Sequence, residues 1–165
     1  MFVDFNEMPD SSRVWIYQAN REFTEAEISE IETKLEEFVT KWVRHGDDLK
    51  GSYTIKYNQF IVLAVDESFN NVSGCSIDSS VNAMKQIEQA FQVDLMNKMN
   101  ITFKVGENIN LLSLADFQNY AKEGKITSET IVFNNMVQTK KAFETEWEIE
   151  ASKSWHQRFI PSKVS

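Results

Sequence analysis

Six consecutive apolar residues, FIVLAV from Phe60 to Val65, form a stable strand only where both faces are covered. Just upstream, Tyr53, Ile55 and Tyr57 alternate with Thr54 and Lys56, which is the period of a half-exposed strand. Asn58 and Gln59 between the two runs turn the chain, so the pair reads as a hairpin with one outer and one inner strand. A fold for this chain must therefore place a sheet strand with layers on either side.

RVWIYQA, Arg13 to Ala19, is a second β-branched and aromatic run that reads as a strand buried on both faces. Between it and the hairpin lies a helix. Thr24 and Glu27 make a capping box, and Ile28, Ile31, Leu35, Phe38, Val39 and Trp42 fall on one helical stripe. After the hairpin, Ile77, Val81, Met84, Ile87 and Phe91 define a second helix, and Ile101, Phe103 and Val105 alternate with polar residues as a fourth strand. The order strand, helix, strand, strand, helix, strand is the ferredoxin-like βαββαβ pattern, in which the first and third strands are central. Those are the two continuously apolar runs. The expected fold is thus α+β, a single domain of residues 1–165 with a ferredoxin-like antiparallel sheet over 1–105. A C-terminal α/β extension over 106–165 is expected to pack on it. In that extension Ser113 opens a short helix ending near Gly124, Thr130 to Asn134 reads as a strand, and QTKKAFETEWE and SKSWHQRF read as helices.

A length of 165 residues with 42% hydrophobic content suits one well-buried core. The net charge of −8 is spread along the chain and repels phosphate backbones, so neither nucleic acid nor an anionic membrane is expected as a partner. No apolar segment reaches the roughly 18 to 20 residues that span a bilayer, and the acidic start MFVDFNEMPD does not read as a signal peptide. A cytoplasmic location is the expectation. The single cysteine fits a reducing compartment.

That cysteine lies in SGCSID. Ser73 and Gly74 read as a turn, Ser76 as an N-cap and Asp78 as an acid in the first helical turn, which puts Cys75 at the N-terminal end of the second helix. These five residues, Ser73, Gly74, Cys75, Ser76 and Asp78, are the candidate anion or ligand site. Cys75 with His45 as a general base is the candidate catalytic pair, and His156 is a second histidine that the fold can bring to it. The competing reading makes Cys75 a small buried filler of the strand-to-helix junction and each histidine a solvated or capping group. Asp66, Glu67 and Asp78 are close in sequence and no Lys, Arg or His lies between Lys56 and Lys85, which favours the filler.

No cofactor or metal motif is present: one Cys and two His lack the paired short spacings of a zinc site, although Asp47, Asp48, Asp66 and Glu67 can hold a hard cation weakly. Gly46 and Gly51 have the spacing of a phosphate loop, but Ser52 follows Gly51 where lysine is required.

RVWIYQ, WVRHGDDLKGSYTIKYNQFIVLAVDES, SGCSIDSSV, VDLMNKMNITFK, TIVFNN and SWHQRF together resemble an uncharacterised bacterial family whose members often carry the label "ABC transporter ATPase". The resemblance covers nearly the whole chain. An ATPase of that kind needs a Walker A lysine, a Walker B carboxylate and an LSGGQ-like signature, none of which stands in this sequence, so the resemblance implies a family and not an activity. Two functions follow as expectations: a non-catalytic binding or protein-interaction module using a sheet face or edge strand, and a thiol-dependent enzyme or redox sensor built on Cys75.

Overall fold

The computed structural model describes residues 1–161, so the last four positions of the expected extension lie outside the described residues. The chain is mixed α/β with antiparallel sheets, and it divides into two compact units. The first comprises Met1–Met96 with Gln138–Lys141; the second comprises Asn97–Val137 and the chain from Ala142.

In the first unit, β1 (Arg13–Gln18) leads to α1 (Glu25–Lys41), a small hairpin of β2 (Val43–Arg44) and β3 (Asp47–Asp48), then β4 (Gly51–Lys56), β5 (Phe60–Val65) and α2 (Gly74–Phe91). The sheet order is β1-β5-β4, all antiparallel. β5 lies between β1 and β4, the two strands that α1 connects, and runs antiparallel to both. All six residues of β5 are 0% exposed, the burial its apolar run demands. On the helix-bearing face, Ile61, Leu63 and Val65 join Ile31, Leu35 and Val39 of α1 and Met84 and Ile87 of α2 in one core. β1 is an edge strand and not a central one. Its Trp15, Ile16 and Tyr17 stay half-buried, because among the described residues β1 pairs with β5 on one side and no strand runs along the other.

The capping box that starts α1 is formed: Glu27 N–H donates to Thr24 Oγ1 and Thr24 N–H to Glu27 Oε1. Arg21 holds the same carboxylate through two 2.8 Å hydrogen bonds. These contacts, led by Arg21, pull the Glu27 pKa down to about 2. The inward face of α2 differs from the expected stripe. Ser76, Ser80, Met84 and Ile87 are buried, whereas Ile77 and Val81 are only half-buried. Serine is tolerated inside because each hydroxyl is spent: Ser80 Oγ donates to the Ile77 carbonyl and Ser76 Oγ to the Val43 carbonyl.

In the second unit, β6 (Asn100–Val105) and β7 (Asn108–Ser113) form a hairpin, followed by α3 (Leu114–Lys122) and β8 (Ile131–Phe133). α4 (Lys140–Glu146) begins in the first unit and leads into β9 (Glu148–Glu150) of the second. The sheet order is β7-β6-β8-β9, again antiparallel. Ile101, Phe103 and Val132 pack with Phe117 and Ala121 of α3 and with Ala151. β6 is the strand that a ferredoxin-like sheet would place beside β1; it pairs with β7 and β8 instead. The expected C-terminal helix is two short 3-10 turns, Ala151–Lys153 and Trp155–Phe159. No helix among the described residues is long and apolar enough to cross a membrane.

Candidate functional site

The SGCSID stretch and the small hairpin before it meet in space. α2 starts at Gly74, so Cys75 is its second residue. The N-cap is Ser73, and Ser76 is its capping-box partner rather than the cap itself. Ser73 has the extended backbone that a cap needs, and its Oγ receives the Ser76 N–H at 3.1 Å. Asp78 lies beyond the first turn, on the exposed side. Ser76 ties the helix start to the hairpin: its Oγ donates to Val43 O at 2.9 Å, and its carbonyl accepts the Trp42 indole N–H at 2.8 Å. Asn70 adds a bond to the Asp48 carbonyl at 3.1 Å.

His45 occupies the tip of that hairpin. Arg44 and Asp47 pair, and His45 and Gly46 between them both have positive φ, 51° and 85°, as a two-residue hairpin turn requires. The imidazole is exposed. Cys75 is exposed as well, which corrects the expectation of a buried filler: the inward-facing small residues at the junction are Ser76 and Ser80, and Cys75 falls on the outer side of the helix. Among the described residues the Cys75 thiol makes no hydrogen bond or ion pair, and its carbonyl accepts Ser79 Oγ. The structure thus brings the hairpin and SGCS together through Val43 and Ser76, with no hydrogen bond joining Cys75 to His45. Among the described residues no three His, Cys, Asp or Glu side chains form a cluster suited to a metal ion.

His156 belongs to the second unit and is neither solvated nor a cap. It is 1% exposed, stacked at 3.8 Å on Trp155 and edge-on to Phe117, with Nδ1 hydrogen-bonded to Ser154 Oγ at 2.7 Å. Burial, with Arg158 as a smaller contributor, pushes its pKa down to about 4, so the ring is neutral near pH 7.

Two features escaped the sequence reading. One is an open cleft of about 270 Å³ in the first unit, lined by Ser11, Arg13, Glu67, Gln138 and Thr139, where the Arg13 guanidinium lies over the Trp15 ring. Nothing in the local sequence joins Gln138 to Arg13. The other is β7, an edge strand of six residues, NINLLS, without a charge or a proline. Its signal was present: Ile109 and Leu111 alternate with Asn108 and Asn110, and Gly106 supplies the positive φ of a two-residue turn. Comparison of the chain with protein-family models, with curated proteins and with solved structures gives no match.

Proposed function

We propose that this chain is a cytoplasmic, non-catalytic protein-interaction module that takes up its partner by strand addition along β7 of the second unit, the first unit carrying a ferredoxin-like arrangement without its fourth strand. The supporting observation is the contrast among sheet edges. A bare edge is a template for another chain, and natural proteins blunt it with covering segments, charges or short strands. β1 is covered where Val14 N–H donates to Gln138 O and Lys140 N–H to Ser12 O. β4 is covered at its start by the N-terminus, through bonds of Val3 and Met1 with Gly51. β9 has only three residues, and two are exposed glutamates. β7 has none of these devices. Among the described residues it pairs with β6 alone, and its middle four residues are half-exposed.

The test is selection of extended peptides from a displayed library against the folded chain, with hydrogen exchange of the Ile109 and Leu111 amides as the site-specific readout. Protection of those two amides by a selected peptide is the expected result, and in Leu111→Pro, which lacks the second amide, the protection of Ile109 should be lost with it. A chain that is monomeric in solution and yields no peptide bound along β7 overturns the reading. The exposure of Cys75 at the start of α2 favours one alternative, a thiol-dependent enzyme or redox sensor. Iodoacetamide modification of the folded protein, followed by intact mass, separates the two. Fast, pH-dependent labelling near neutrality favours the thiol.

A further inference from the structure

We infer that the strand received by β7 is β7 of a second copy, the two chains pairing antiparallel about a two-fold axis at Asn110. This rests on the reading of β7 as a docking edge and names its occupant. The hairpin fixes which groups are free. Val105 and Asn108 close the two-residue turn of Gly106 and Glu107, and the closing pair of such a hairpin exchanges both of its hydrogen bonds. Asn108, Asn110 and Leu112 therefore spend their N–H and C=O groups on β6, while Ile109 and Leu111 turn theirs outward. Neither residue has a further hydrogen bond among the described residues.

In a second β7, outward groups face outward groups in registers centred on Ile109, Asn110 or Leu111, and only the one centred on Asn110 pairs all four of these residues with one another. Ile109 opposite the partner's Leu111, and Leu111 opposite the partner's Ile109, give two pairs in which both members face outward and exchange two bonds each. The same register brings four aliphatic side chains together on one face of the joined sheet. On the other face, Asn110 meets its own copy across the axis; its Nδ2 donates one hydrogen to the Asn108 carbonyl at 3.4 Å, and the second amide hydrogen with Oδ1 lets the two copies bond reciprocally. A slip by one residue sets outward groups against groups already used. The strand has no charge, and Glu107 falls opposite the partner's Ser113, so no like charges face each other in this register. The net charge of −8 on each copy opposes association at long range, so added salt should tighten the dimer.

Sedimentation velocity on the full chain, from low micromolar to near-millimolar concentration, should show a monomer–dimer equilibrium strengthened by salt. Asn110→Asp and Asn110→Lys each place like charges on the axis and should weaken dimerisation roughly tenfold or more, and an equimolar mixture of the two should restore it. Leu111→Pro removes an outward N–H without touching the β6 bonds and should also give monomer. Circular dichroism identifies any variant that fails to fold. Independently of all variants, exchange of the Ile109 and Leu111 amides in the native chain should slow as concentration rises. A dimer that survives both Asn110 variants, or concentration-independent exchange at those amides, overturns the β7 pairing. A monomeric chain that still takes selected peptides along β7 overturns self-pairing alone; a monomer that takes none overturns the interaction reading with it.

Discussion

His156 is the residue whose chemistry is most altered by its surroundings. Packed against Trp155 and Phe117 and sharing one hydrogen bond with Ser154, the imidazole gains little from a proton that it would have to hold away from water. Its pKa in the folded chain is about 4, against about 6.5 when unfolded. The unfolded chain therefore binds the proton more readily between those values. The stability from the neutral ring is complete above pH 6.5 and declines as pH falls towards 4, by at most about 1.4 kcal/mol per pH unit. Urea unfolding of the native chain and of His156→Gln across this range should show a steeper pH slope for the native chain. Glu27 acts lower, since its depressed pKa confines its loss to the window below the ordinary carboxylate value. Parallel slopes for the two proteins between pH 4 and 6.5 would show that the ring titrates as if solvated.

At the scale of elements, the start of α2 depends on Ser73 twice over, because its Oγ caps the helix and bonds the Ser76 hydroxyl that grips the Val43 carbonyl. Ser73→Ala should cost about 1 kcal/mol of stability by thermal or urea unfolding, the ordinary worth of an N-cap, and Ser73→Asp should recover most of it. A loss confined to a few tenths would show that the hairpin holds the helix start without the cap. This junction shows how far local reasoning reaches. The capping box of α1 and the buried β5 were legible because the residues that decide them are neighbours in sequence. The serine face of α2 was not, since Ser76 and Ser80 are buried by bonds to the Val43 and Ile77 carbonyls, and one of those partners is 33 residues away. β6 failed for a related reason. Alternation reports which side chains are apolar and not which strand lies alongside, so Ile101, Thr102 and Phe103, all buried, were assigned to the edge of the wrong sheet. β7 escapes local reasoning because Ser113 reads as the start of a helix, which it is, and the seven residues Gly106 to Leu112 then read as a connection.

For the whole molecule, the ATPase label borne by the resembling family makes a sharp demand that the architecture bears on directly. A phosphate loop connects a strand to a following helix and presents free backbone N–H groups beside a lysine. The segment with the right glycine spacing, Gly46 to Gly51, instead follows α1 and leads into β4. Gly46 is committed to the turn at His45, and the next two residues are the exposed aspartates of β3, which repel phosphate. Gly51 is buried with no room to open: a Cβ there would lie 3.1 Å from the Ala64 carbonyl oxygen and 3.2 Å from Val39 Cγ1. The net charge of −8 adds a long-range penalty for a triphosphate. Calorimetric titration of the full chain with ATP and magnesium should therefore give no saturable heat, and phosphate release should stay at the uncatalysed level. Saturable binding at micromolar ATP would mean that a nucleotide site has been built without a glycine loop, and the interaction reading of β7 would then have to share the molecule with an enzyme.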